Sequence, residues 1–421
     1  RDGPRPIPPP MTGETPAVHE ALAVYAPETT ETGRVPPGYK LTEVGVIPED
    51  WETVPIGAIA KFTSGVLINA SALNRQSPQF PMPVFGGNGI AGYTSEAVAM
   101  APTVVIGRVG QKCGSVYRTD GPAWITDNAL YPKQIYRAIE MDFLALALEG
   151  VRLNEVRNRN DLPLITQSIV HDIRVALPRD ISEQRAIAAA LSDVDALISA
   201  LDKLIAKKRA VKTAAMQQLL TGKRRLPEFS GEWEVKRVYE FGEVITGGTP
   251  PTHIKEYWFG EHPWVTPTDI TNTKDVYVTE RQVTEEGLGT IRPLPSNSVL
   301  VTCIASIGKN AVLRRPGGCN QQINAVIPNG VSDADFLYYL FEHKKQFLLG
   351  NAGMTATNII LKKDFSELQF SVPSLEEQTA IAAVLSDMDA EISALEARRE
   401  KTRRIKQGMM QELLTGRTRL V

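Results

Sequence analysis

Residues Glu183 to Leu226 open EQRAIAAALSDVDALISAL and close MQQLLTGKRRL; residues Glu377 to Leu420 open EQTAIAAVLSDMDAEISAL and close MQELLTGRTRL. Laid together without a gap, roughly 26 of 44 positions are identical, an agreement that only duplication produces. Pro178 and Pro373 end the strand-like runs before the two copies. Ser182 and the pair Glu376-Glu377 stand at the helix starts, where caps and anionic groups are favoured. Gly222 and Gly416 supply glycines at the ends. Between them Gly408 is the one glycine. Each copy therefore reads as one helix of about 40 residues, about 60 Å long, more than one small domain can cover.

The apolar residues of the first helix fall at Ile187, Leu191, Val194, Ile198, Leu201 and Ile205, alternating steps of four and three. The second repeats the pattern at Ile381, Leu385, Met388, Ile392 and Leu395. That spacing is a coiled-coil seam. Lys208 and Lys212 then interrupt the first seam, and Arg399 and Thr402 the second. It is expected to resume at Val211, Ala215 and Leu219, and at Ile405, Met409 and Leu413, after a stutter. Two such seams, each following its own domain, suit an antiparallel pair with pseudo-twofold symmetry.

Upstream the repetition fades. Trp51-Glu52 opens a segment reaching Phe62-Thr63-Ser64-Gly65, and Trp233-Glu234 one reaching Val244-Ile245-Thr246-Gly247. The expected organisation is a Pro-rich extension over 1–37, in which Met11 is a candidate first residue, and a globular segment over 38–179. A helix over 180–224, a second globular segment over 225–373 and a second helix over 374–421 follow. Both globular segments mix short strand-like and helical runs, so the fold class is mixed α/β. One frame kept twice and two divergent inserts suggest a common scaffold carrying two different readers.

Composition limits the alternatives. The 421 residues are 43% apolar with a net charge of −2, which fits two or three folded domains and announces no global polyanion binder. No apolar run is long enough for a membrane span, and no basic-then-apolar leader is visible. Cys113, Cys303 and Cys319 lie apart with no paired spacing, as in a reducing cytoplasm, and the five histidines show no zinc spacing.

A variable segment, an EQxAIAxxLSDxD helix with an LLTG end, then the same again, resembles the specificity subunit of type I restriction-modification enzymes. The opening from Gly38 to Trp51, the run Gly247-Gly248-Thr249-Pro250 and the pairs Tyr257-Trp258 and Trp264-Val265 are similar to that family as well. So are Pro83 to Gly89 and Val105 to Gly110. The resemblance implies two target recognition domains, each reading one half of a split double-stranded DNA site. It implies helices that set the distance between the halves and dock two methyltransferase subunits carrying S-adenosylmethionine. Motor-endonuclease subunits join in some assemblies. The chain itself would be non-catalytic, hold no metal or cofactor, and work in the cytoplasm.

Base reading needs Arg, Lys, Asn, Gln and Thr on base edges, with cations on phosphates. The first segment offers Asn88, Arg108, Lys112, Arg157, Asn158 and Arg159. The second offers Thr249, Lys255, Trp258, Thr268, Asp269, Ser306, Lys309, Asn320, Gln321, Gln322, Asn324 and Thr357. Residues 40–178 carry 12 Lys+Arg against 13 Asp+Glu, so any positive face there is local. Two rivals are weighed against DNA reading. A coiled-coil adaptor would leave the two divergent polar domains unexplained. A stand-alone modifying enzyme finds weak support: Gly87-Asn88-Gly89-Ile90-Ala91-Gly92 matches GxGxxG, but no helical pattern follows it.

Overall fold

The computed structural model describes residues 35–156, 163–271, 273–353 and 358–420. The expected extension lies outside them up to residue 34. The chain forms two compact units. Unit 1 runs to Ala200 and takes in the stretch from Arg399 onward; unit 2 is Leu201–Arg398. The division passes through both long helices, so each unit holds one globular segment, the start of the helix that follows it and the end of the other helix.

Unit 1 is built on four antiparallel strands: β1 (Ala60–Ser64), β2 (Val104–Gly107), β3 (Val116–Arg118) and β4 (Ala129–Ile135), ordered β1-β4-β2-β3. Helix α1 (Met141–Gly150) buries Phe143, Leu144, Leu146 and Leu148 in the same core as Ile106 and Leu130. Unit 2 uses β5 (Gly242–Thr246), β6 (Asp275–Val276), β7 (Ser298–Thr302), β8 (Asn310–Leu313) and β9 (Ile323–Pro328), ordered β5-β9-β7-β8-β6. Helix α3 (Ala334–His343) buries Phe336, Leu337, Leu340 and Phe341 against Val299 and Val312. Apart from the added β6, the strand order is that of unit 1. A smaller three-stranded sheet flanks each main one, Met82–Gly86 with its neighbours in unit 1 and Trp258–Val265 with its neighbours in unit 2.

The long helices are α2 (Ile181–Leu219) and α4 (Leu375–Leu413). Asp180, rather than the expected Ser182, caps α2: its Oδ1 accepts the Ser182 N–H at 2.8 Å. Gly222 (φ +69°) and Gly416 (φ +70°) take the left-handed conformation that ends a helix, as expected of them. In unit 1, Leu413 and Leu414 share a core with Ile187, Ala188 and Leu191. In unit 2, Leu219 and Leu220 share one with Ile381, Ala382 and Leu385. The end of one helix thus packs on the start of the other in both units, which is antiparallel pairing.

Along the seam Ile187, Leu191, Leu201, Ile205, Ile381, Leu385 and Ile392 are buried; Val194, Ile198, Met388 and Leu395 are half-buried. The expected resumption holds at Leu219 and Leu413 but fails at Val211 and Ile405, which are 48% and 49% exposed. One residue along, Lys212 and Lys406 turn inward instead. Lys212 pairs with Asp389, and Lys406 Nζ stands 2.8 Å from Asp195 Oδ1. A lysine stem covers apolar surface while its ammonium meets the carboxylate that the antiparallel partner presents. Lys212 was expected to interrupt the seam; it and its repeat equivalent Lys406 continue it.

Each helix start is also gripped by the segment after the other helix. Arg419 donates to Glu183 and Asp50, and Arg225 donates twice to Glu377. Glu183 and Glu377 are nearly fully buried.

Candidate nucleic-acid interface

In unit 1 the β2–β3 connection packs against two other loops. Arg108 N–H donates to Asn128 O at 3.0 Å, and Ile165 N–H donates to Arg108 O at 2.9 Å. A Cβ added at Gly107 would lie 2.4 Å from Gly87 O, so only glycine lets the loop bearing Asn88 come this close. Arg108 is held by Ser64 Oγ at 3.1 Å and Asp127 O at 3.3 Å. Asn88, Lys112 and Asn128 are exposed around it. Arg157, Asn158 and Arg159 lie outside the described residues; the chain returns at residue 163 and pairs Leu164 with Val109.

Unit 2 repeats these backbone contacts. Cys303 N–H donates to Gln322 O at 2.8 Å, and Ile360 N–H to Cys303 O at 2.9 Å. Ile304 bridges Ile359 as Val109 bridges Leu164. Ala305 (φ +62°) stands where unit 1 has Gly110 (φ +91°). A non-glycine in that region stores roughly 1–3 kcal/mol, and functional loops are where such strain collects. Its N–H is tied to Asn358 O at 3.1 Å, and Ser306 follows it.

Side chains then diverge around the shared frame. Thr249 Oγ1 donates to Gln321 Oε1 at 2.7 Å, and Asn320 Nδ2 to Gln322 Oε1 at 3.0 Å. Lys309 Nζ reaches Pro267 O at 3.4 Å, beside Thr268 and Asp269. Thr249, Thr268, Ser306, Lys309, Asn320, Gln321 and Gln322 therefore gather at one end of the unit. Thr357 lies outside the described residues.

Four expected readers are placed otherwise. Trp258 is buried, edge-on to Trp264 at 5.1 Å, with the Arg281 guanidinium 3.8 Å from its ring and its N–H on Pro251 O. Its faces are spent inside a small core. Asn324 is buried and accepts from Thr246 Oγ1 at 2.7 Å. Asp269 accepts from Thr266 N–H and Glu280 N–H at 2.8 and 2.9 Å, which fixes a turn. Lys255 is exposed on the short helix Lys255–Tyr257, with no contact tying it to the cluster among the described residues. Asn128, by contrast, was not singled out. It occupies the place of Gln322, and the sequence signal was a pair of polar residues just before a buried strand in both segments.

Neither cysteine of unit 2 is a nucleophile. Burial pushes the Cys303 thiol up to about 11 and the Cys319 thiol up to about 12, so both stay protonated near neutrality. In the Gly87–Gly92 run, Gly87 and Asn88 turn a hairpin between the strands Met82–Gly86 and Gly89–Thr94, and the rest lies in the second strand rather than opening a helix.

The family model for the type I restriction modification DNA specificity domain matches the chain twice, over residues 48–208 and 230–404. The chain belongs to that family. Among curated relatives, the specificity subunit of the type I restriction enzyme MjaIX of Methanocaldococcus jannaschii is 37% identical over 164 residues, 38% of each chain. That of HindI of Haemophilus influenzae is 30% identical over 154 residues, 34% of this chain and 32% of its own. The matched stretches thus span about a third to two fifths of the length of these two relatives. A crystal structure of the type I system S subunit from M. genitalium superposes with a TM-score of 0.62 at 16% identity, covering 86% of this chain and 96% of that one. The likeness supports the fold: two mixed α/β domains and two long helices. Among the described residues no helix is long and apolar enough to cross a membrane.

Proposed function

We propose that this chain is the non-catalytic DNA-recognition subunit of a type I restriction-modification complex, each unit reading one half of a bipartite site on double-stranded DNA. One observation carries the reading: the same backbone knot, formed by the β2–β3 and β7–β8 connections, recurs in both units with different polar side chains on it. A conserved frame with changed donors and acceptors is what two dissimilar half-sites require. Asn88, Arg108, Lys112 and Asn128 would read or position the first half. Thr249, Thr268, Ser306, Lys309, Gln321 and Gln322 would do so for the second. The long helices would set the gap and dock two methyltransferase subunits, on which S-adenosylmethionine is bound. Motor-endonuclease subunits would complete a restricting assembly, in the cytoplasm.

The test is genome-wide mapping of methylated adenines in cells holding the methyltransferase partner, with and without this chain. A bipartite motif that appears only with the chain is expected. Inserting four residues near Lys203–Lys208, about one helical turn or 6 Å, should lengthen the unread gap and leave both half-sites unchanged. Methylation that is indifferent to the chain, or half-site bases altered by the insertion, defeats the proposal.

A further inference from the structure

In each unit a half-buried ion network ties the globular sheet to the long helices, and it is built on repeat-equivalent helix residues. In unit 1, Arg118 of β3 donates to Ser192 Oγ at 3.4 Å and to Asp195 Oδ2 at 3.3 Å, and stands 3.8 Å from Asp142 of α1. Lys406 of α4 closes it on Asp195 at 2.8 Å and on Glu149 of α1 at 3.4 Å. In unit 2 the same helix positions are Ser386, Asp389 and Lys212. There Arg314, following β8, pairs with Asp275 and Asp335 and donates to Asn297 Oδ1 at 2.7 Å. Lys274, just before the extra strand β6, replaces it at the helix: its Nζ is 2.9 Å from Ser386 Oγ and pairs with Asp335. Tyr339 of α3 donates to Asp389 at 2.7 Å, and Lys212 pairs with the same carboxylate.

Residues from non-equivalent places in the two globular parts thus converge on a repeat-equivalent serine and aspartate. The apolar contacts beside them are non-directional, and could be kept through a small rotation of the sheet on the helices. Charge-assisted hydrogen bonds could not, because they fix direction as well as distance. We propose that Arg118 and Lys274 are positioning residues: each fixes the angle at which its unit's sheet is held on the helix pair, and so limits which gap between half-sites the protein accepts. This rests on the DNA reading proposed above. A polar clamp at this place, kept by different residues in the two units, marks the junction as set for geometry rather than for burial.

The experiment compares methylation by the full complex on a library in which both half-sites are fixed and the gap varies by one base pair either way. For Arg118→Ala and Lys274→Ala, off-length gaps should gain about two- to fivefold relative to the preferred one, the scale of half-exposed ion pairs. Half-site bases should not change, and Lys274→Arg should restore much of the discrimination. Arg137→Ala, which removes an ion pair with Glu52 at 2.8 Å and no contact with either long helix among the described residues, is the control and should change nothing. Should either alanine variant fold poorly, Ser192→Ala and Ser386→Ala remove only a hydroxyl and should shift the gap profile in the same direction. Unchanged gap profiles in all these variants overturn the inference while the DNA reading stands. Altered half-site bases overturn it too. A wild-type complex that methylates no bipartite site defeats the underlying reading.

Discussion

In unit 1 the buried Glu183 serves two donors: Trp51 Nε1 at 3.1 Å and Arg419 Nη2 at 2.9 Å, and Arg419 is further held by both oxygens of Asp50. In unit 2 the equivalent Glu377 accepts twice from Arg225, which also donates to Gly231 O at 2.6 Å. The indole N–H of Trp233 is buried without a partner among the described residues, although Arg225 lies 5.8 Å from its ring as Arg419 does from that of Trp51. The two clasps descend from one ancestor and have come to distribute the same parts differently. Unit 1 spreads the arginine over two carboxylates; unit 2 concentrates it on one. Redundancy, rather than the number of bonds, is what separates them.

Removing the shared carboxylate tests this most severely. Glu377→Ala strips Arg225, in a half-buried place, of its only carboxylate among the described residues, and breaking a buried pair this way costs about 3 kcal/mol. Glu183→Ala leaves Arg419 on Asp50 and orphans chiefly the Trp51 N–H, a loss of about 1–2 kcal/mol. Hydrogen exchange at the starts of α2 and α4 reads each clasp separately. Equal losses, or a larger loss for Glu183→Ala, would break the comparison.

These clasps were only half visible in the sequence. The duplicated EQ and LLTG ends locate Glu183, Glu377, Arg225 and Arg419, because repeated helices preserve spacing and apolar periodicity. What each arginine touches depends on Asp50, more than 360 residues from Arg419, and no local pattern reports that. The same limit hid the common strand order of the two globular parts. Val105-Ile106 and Leu300-Val301 are both buried β runs, but their neighbours in the sheet are set by long-range pairing. Trp258 was misread for a related reason: an indole beside polar residues has the same sequence signature whether it faces a ligand or closes a small core.

A smaller effect concerns acid. The hydrogen bond from Arg419, foremost, lowers the Asp50 carboxyl below its usual value; desolvation opposes it, and the positive charge of Arg419 adds to the lowering. A lowered carboxyl stabilises the fold above its unfolded value near 3.8 and loses that contribution as pH falls through the lowered value. The unit 1 clasp should therefore hold its reserve at neutrality and lose it only below about pH 4. Carboxyl NMR titration of Asp50 should show the lowered midpoint, and Arg419→Ala should return it to the ordinary range. A midpoint unmoved by Arg419→Ala would mean that the arginine is not what grips Asp50.

The smallest expected effect bears on the helices, where the two units agree. Val211 and Ile405 are repeat-equivalent, were expected in the seam, and stand about half exposed. Lys212 and Lys406 hold the inward place on opposite helices, each against the aspartate of the other copy. Val211→Ser and Ile405→Ser should accordingly change stability by no more than about 0.5 kcal/mol, as exposed sites do. Leu385→Ala, at a fully buried seam position, should cost about 2–5 kcal/mol. Denaturant melts of the three variants decide it. A large loss at Val211 or Ile405 would restore the uninterrupted apolar seam and leave the paired lysines as surface ornaments. A negligible loss shows that the seam changes chemistry partway, exchanging an apolar knob for a lysine–aspartate pair at the same step in both copies.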